Sequence, residues 1–153
     1  MWEYVEDVLL NEDVLSLLRG YFARVEMPWI NCVRRHVRVG GLEVDAVAEL
    51  RFRRVIRTVG FELKVLDNYL KFFKAAEQAL KRRKHFNYFV VVTEPLWPFT
   101  LANAIYYGER EGVLAKLVEE GVGWVAKLDS DTYTLLLPPK YLSRPEQTVL
   151  DES

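Results

Sequence analysis

Apolar positions along the chain change period several times, and each change marks an element. Between residues 3 and 24 they fall at Val8, Leu9, Val14, Leu15, Leu17, Leu18 and Phe22, a spacing closer to the helical repeat than to alternation. This predicts one or two helices, with Asn11 as the cap of the second. Pro28 closes the region, and residues 31 to 38 read as extended, with Val33 and Val37 among arginines and His36. Gly40-Gly41 supplies the two-glycine signal of a tight hairpin. The return segment GLEVDAVAEL alternates: Leu42, Val44, Ala46, Ala48 and Leu50 face one way, and Glu43, Asp45 and Glu49 the other. Asp45 is therefore expected on the polar face of a half-buried strand.

Alternation resumes from about Val55 to Val65, where Phe61, Leu63 and Val65 interleave with Glu62 and Lys64. A helix is predicted over about 68 to 84. Leu70, Phe73, Ala76 and Leu80 mark its apolar face, and Lys71, Lys74, Gln78, Lys81, Arg82 and His85 the other. YFVVVT, residues 88 to 93, is the unbroken β-branched run of a strand covered on both faces. Pro95 and Pro98 end it. One helix is predicted from about Leu101 to Glu120, stopping at Gly121. Strands follow at Gly123 to Leu128 and Tyr133 to Leu137, joined through Ser130-Asp131. The pattern is that of an α/β unit, a mixed central β-sheet flanked by helices. With no repeat or linker in view, it reads as one domain over 1–140, and a polar, loose tail is expected over 141–153.

Composition agrees with that reading. A chain of 153 residues, half of them hydrophobic and 28% charged, can bury a core without help and does not carry the signature of disorder. Cys32 is the only cysteine, which excludes an intrachain disulfide and a cysteine-based zinc cluster and points to the cytoplasm. The acidic N-terminal segment and the lack of an apolar run near the ~20 residues of a membrane span argue against export and insertion. Scarce glutamine, at Gln78 and Gln147 only, is a bias met in proteins from hot environments.

Charge changes the picture more. Residues 34 to 84 carry fourteen Lys/Arg against six Asp/Glu, a net +8, and the remainder carries seven against sixteen, a net -9. A basic central third suits a polyanion such as DNA. Arg51, Arg53, Arg54, Lys74, Lys81 and Arg82 are the candidate phosphate contacts, with Arg57, Arg83 and Lys84 beside them. His36 and His85 lack metal-ligand spacing and read as surface or core-edge residues.

The candidate chemistry lies within this basic stretch. Phosphodiester hydrolysis needs a hard divalent cation, which selects carboxylate oxygens, and a positive group beside the charge that develops on phosphate. Glu62 and Lys64, at i and i+2 on a strand, project from one face about 7 Å apart, and Asp45 on a neighbouring strand supplies a second carboxylate. The alternative reading of Glu62 and Lys64 is a surface ion pair, worth only a few tenths of a kcal/mol. Glu43 and Glu49 read as solvated strand residues, with Glu43 near enough to Asp45 to serve as a spare ligand.

A hairpin strand bearing Asp45, a later strand reading Phe61-Glu62-Leu63-Lys64 and a following helix bearing Gln78 resemble the PD-(D/E)XK, or restriction-endonuclease-like, nuclease superfamily. Val44 stands where the family name has Pro. The resemblance implies a restriction-endonuclease-like fold and an Mg²⁺- or Mn²⁺-dependent endonuclease acting on DNA, with Asp45 and Glu62 on the metal and Lys64 assisting the water or the transition state. It also matches Glu12 to a metal-associated Glu on the first helix, at a distance before Asp45 that resembles the archaeal Holliday-junction resolvases, whose substrates are branched. Gln78 is matched to a helix residue that orients the lysine or touches DNA. A homodimer through Tyr106-Tyr107 or Trp124 would serve a symmetric substrate. The alternative is a nucleic-acid-binding or scaffold protein that keeps the fold without cutting.

Overall fold

The computed structural model describes residues 2–23, 26–129, 132–143 and 145. Gly40 and Gly41 both take positive φ, 56° and 82°, the geometry of a two-residue hairpin turn that only glycine adopts freely at both positions. The turn joins β1 (Trp29–Val39) to β2 (Leu42–Arg51), and β3 (Ile56–Leu66) returns antiparallel beside β2. β4 (Tyr88–Pro95) and β5 (Val122–Lys127) lie parallel to β3, and β6 (Tyr133–Leu137) closes the far edge antiparallel. The result is a six-stranded mixed sheet in sequence order. The expected Ser130-Asp131 turn and residues 144 and 146–153 of the expected tail lie outside the described residues.

Helices cover both faces, so β4 is buried from Tyr88 to Thr93. One face carries the 3-10 helix Trp2–Leu9 and α1 (Glu12–Phe22). Asn11 caps α1 as expected, accepting from the backbone N–H of Asp13 and Val14 at 3.1 and 3.2 Å. Leu9, Leu10, Val14, Leu18 and Phe22 pack there on Ala46, Ala48, Leu50, Phe61 and Leu63. The other face carries α2 (Tyr69–Arg82), α3 (Pro98–Arg110) and α4 (Val113–Glu120), over a core containing Phe72, Ala75, Ala79, Phe89 and Trp124. The single helix expected over 101 to 120 is two, because Gly112 sits at φ 80°. Its apolar period runs across the break, so periodicity alone conceals it.

Two further expectations are corrected. Trp124 is 1% exposed, stacks on Phe72 at 4.2 Å and donates its indole N–H to Thr93 Oγ1 at 2.9 Å. It is core, not interface, while Tyr107 stacks on Tyr69 and Tyr106 stays exposed. The chain after Pro138 is also docked: Lys140 N–H donates to Gly121 O and Leu142 N–H to Asn87 O, at 2.9 and 2.8 Å. No helix among the described residues is long and apolar enough to cross a membrane.

Arg83, counted in the sequence among possible phosphate contacts, is buried instead. Its guanidinium donates to the carbonyls of Glu120, Phe86, Asn87 and Lys140 at 2.6 to 3.2 Å, tying the end of α2 to α4, β4 and the docked segment. Removing the head group takes a donor from all four carbonyls, of which Asn87 O alone keeps the Leu142 N–H. Arg83→Met should lower unfolding free energy by about 3 kcal/mol in urea denaturation, whereas exposed Lys81→Met should stay within about 0.5 kcal/mol of wild type.

Candidate functional site

β2 and β3 pair from Arg51–Ile56 up to Ala46–Phe61 and no further, although β3 runs on to Leu66. The N–H groups of Leu63 and Val65 on that edge therefore have no ladder partner in β2. Buried N–H groups must be satisfied, and two carboxylates do so. Asp45 Oδ2 accepts from Leu63 N–H at 2.8 Å, and Glu6 Oε2 from Val65 N–H at 2.7 Å.

Asp45 also stands where its strand changes sides. Ala46, Ala48 and Leu50 pack under α1, but Val44 joins Val47, Val37 and Val39 in the core under α2. The uniform alternation expected from Leu42 to Leu50 thus fails at Asp45, and β2 is buried on both faces rather than half-buried. Opposite this point, between the pairs Arg35–Ala46 and Val37–Val44, His36 adopts φ 53°, an uncommon conformation for a residue with a side chain.

Glu62 and Lys64 share a face of β3, since Phe61 and Leu63 pack under α1 while Leu66 packs under α2. Glu62 is only 5% exposed, which rules out the surface ion pair. Desolvation, and then the charge of Asp45, push the Glu62 carboxyl from 4.5 up to about 8, against the opposing pull of Arg82 and Lys64. Asp45 is raised by desolvation as well. Its bond from Leu63 and the charges of His36 and Lys64 oppose that rise, and Glu6 adds to it. The two acids repel each other in a low-dielectric setting, with partial neutralisation from Lys64 and Arg82.

Around this pair the structure gathers residues that the sequence did not assign to it. Glu6 bears on both carboxyls, whereas Glu12 is exposed at the first position of α1. His36 bridges Asp7 and Glu43 at 3.1 and 3.3 Å. Burial opposes its protonation, but the bonds it donates to Asp7 and Glu43, with the charges of those two acids, outweigh that and raise its pKa. Arg35 donates to Asp7 O and Leu10 O at 2.7 and 2.9 Å, holding the N-terminal 3-10 segment on β1. No periodicity signals these contacts. The adjacent Glu6-Asp7 pair before the buried Leu9-Leu10 is the only trace in the sequence.

Of the six proposed phosphate contacts, Arg82 alone is at the site. It donates to Glu43 O at 2.7 Å and Gln78 O at 3.0 Å, and its charge acts on Glu62. Lys71, Gln78 and Arg82, all half-buried, follow one stripe of α2 with the buried Ala75. Lys74 and Lys81 are exposed on other faces of that helix. Arg51 lies six residues from Asp45 along β2, about 20 Å, and is engaged with Glu49 at 2.6 Å. Arg53 and Arg54 lie beyond it.

A hard cation such as Mg²⁺ needs only one or two protein carboxylates and keeps several waters. Asp45 and Glu62, under-neutralised and close enough to perturb each other, fit that donor set. No group of three or more His, Cys, Asp or Glu is gathered to hold a metal among the described residues, so other ligands would come from water or backbone. No family model, curated protein or solved structure matches the chain.

The raised Glu62 has a defined effect on stability. A carboxyl whose folded pKa lies above its unfolded value contributes most below about pH 4.5, and that contribution is lost as pH rises through about 8. Glu62→Gln mimics the protonated acid. It should match wild type in urea unfolding near pH 4.5 and exceed it at pH 8 by an amount on the order of a few kcal/mol. A difference independent of pH would count against a buried, perturbed Glu62.

Proposed function

We propose that this protein is a restriction-endonuclease-like nuclease that hydrolyses DNA phosphodiester bonds with Mg²⁺ or Mn²⁺ held by Asp45 and Glu62. One observation carries the reading: two carboxyls of raised pKa converge with Lys64 and Arg82 where β2 parts from β3. The order of Asp45 on the hairpin strand, Glu62 and Lys64 on the next strand and Gln78 on the following helix supports the family assignment. The net +8 of residues 34 to 84 supports a polyanionic substrate.

Bound there, the cation supplies Lewis acidity toward phosphate and a lower pKa for the attacking water. The protein's own residues do the rest. Leu63 N–H fixes Asp45 in one orientation. Burial of Glu62 keeps its carboxyl poorly solvated, so a cation that replaces the proton gains more than it would at an exposed acid. Lys64 offsets charge that grows on the phosphate, and Arg82, anchored by Glu43 O, adds a fixed positive group beside Glu62. In hydrolysis the water oxygen bonds to phosphorus, the P–O bond to the leaving sugar oxygen breaks, and that oxygen departs with a proton.

A second reading, nucleic-acid binding without cleavage, is favoured by one feature: Asp45 and Glu6 are already engaged with backbone N–H groups. A cleavage panel of duplex, flap, single-stranded and branched DNA with Mg²⁺ or Mn²⁺ separates the two. The nuclease reading expects cutting of at least one substrate, lost by 10³-fold or more in Asp45→Ala and by about 10²-fold in Lys64→Ala. DNA bound but never cut under any divalent cation leaves the second reading standing.

A further inference from the structure

At the opposite end of the strands from Asp45 lies a cavity of about 620 Å³ under the β2–β3 connection, within the 300–1,000 Å³ range of small-molecule sites. Its lining combines two chemistries. Phe22, Phe52, Tyr88 and Tyr141 present aromatic rings, while Arg53, Arg54, Arg57 and Lys140 present four cations against one acid, Glu26. The Oε2 of Glu26 is occupied by the backbone N–H of Arg53, from which it accepts at 3.1 Å.

Arg57 is the centre of this arrangement. Its guanidinium lies 4.2 Å from the Tyr141 ring centroid and 5.5 Å from that of Phe52, and it reaches the Tyr88 hydroxyl at 3.5 Å. Its Nε is buried and has no hydrogen-bond partner among the described residues. Among the described residues no carboxylate forms an ion pair with Arg53, Arg54 or Arg57. Guanidinium groups of this kind stack on flat rings and accept phosphate in a two-pronged fashion. A ligand that uses both halves of the lining must carry a planar aromatic group and an oxyanion a few bonds apart.

We propose that this cavity binds a nucleotide, its base against the aromatic rings and its phosphate on the arginines. The nucleotide is either free or the phosphorylated end of a strand, and both share this chemistry. The site is separate from the carboxylate pair and does not depend on the hydrolytic reading.

The test is equilibrium binding, by calorimetry, of adenosine 5′-monophosphate, adenosine, inorganic phosphate, and a hexanucleotide with and without a 5′-phosphate. The full chain is used without divalent cation. Adenosine 5′-monophosphate should bind at least tenfold more tightly than adenosine or phosphate alone. Binding should weaken at least tenfold in Arg54→Ala, an exposed substitution unlinked to folding, and in Tyr141→Ala, and remain unchanged in Glu62→Gln. If the phosphorylated hexanucleotide binds at least as well as the mononucleotide and its unphosphorylated form does not, the ligand is a strand end. If only the mononucleotide binds, it is a free nucleotide. The proposal is overturned by no binding of either at millimolar concentration, by phosphate alone binding as tightly as the nucleotide, or by affinities that ignore both pocket substitutions.

Discussion

The parting of β2 from β3 after the Ala46–Phe61 pair is the constraint on which the rest of the molecule depends. Two antiparallel strands that stop pairing inside a covered sheet leave backbone N–H groups that cannot reach water. Leu63 and Val65 solve this with carboxylates from two distant parts of the chain, Asp45 and Glu6. The same parting frees the tip of the β1–β2 hairpin to turn toward α2. There Val37, Val39 and Val44 join the second core, and Arg82 bonds to the backbone of Glu43. A backbone requirement and a chemical site thus have one origin.

That origin explains why the site is costly. A ladder carbonyl would satisfy Leu63 without bringing charge, whereas Asp45 brings an acid beside Glu62. Burial raises both acids, and the charge of Asp45 raises Glu62 further. The sheet tolerates the pair because continuous apolar packing surrounds it, from Leu63 and Val92 on one face to Leu66 and Phe72 on the other. Sites that oppose stability in this way are commonly functional ones.

The sequence was legible wherever local chemistry decides. Asn11 as a cap, Gly40-Gly41 as a turn, the continuous run at 88 to 93 and the charged pair Glu62 and Lys64 within a strand all follow from neighbours within four residues. What it hid depends on the third dimension. The side change at Asp45 is invisible because alternation is intact on paper while the strand twists onto a second core. Glu6 serves an N–H group 59 residues away, so no spacing rule finds it, whereas Glu12, singled out by its helix position, lies exposed at the start of α1. The +8 of the central third also overstated concentration. The rise along β2 carries Arg51, and the connection after it Arg53 and Arg54, to the end of the strands remote from Asp45, and Arg83 is spent on four carbonyls inside.

Asp45 and Glu62 form an acid pair withdrawn from water, with Glu62 raised by the charge of Asp45, and the proposed function places a divalent cation on it. Carboxyl carbon NMR of the two side chains, followed as pH is varied with and without Mg²⁺, tests it most directly. Without added cation the Glu62 carbon should titrate near pH 8, and saturating Mg²⁺ should lower its midpoint by about one unit or more, because the cation favours the ionised form. A Glu62 midpoint near the ordinary 4.5, unmoved by Mg²⁺, would contradict it.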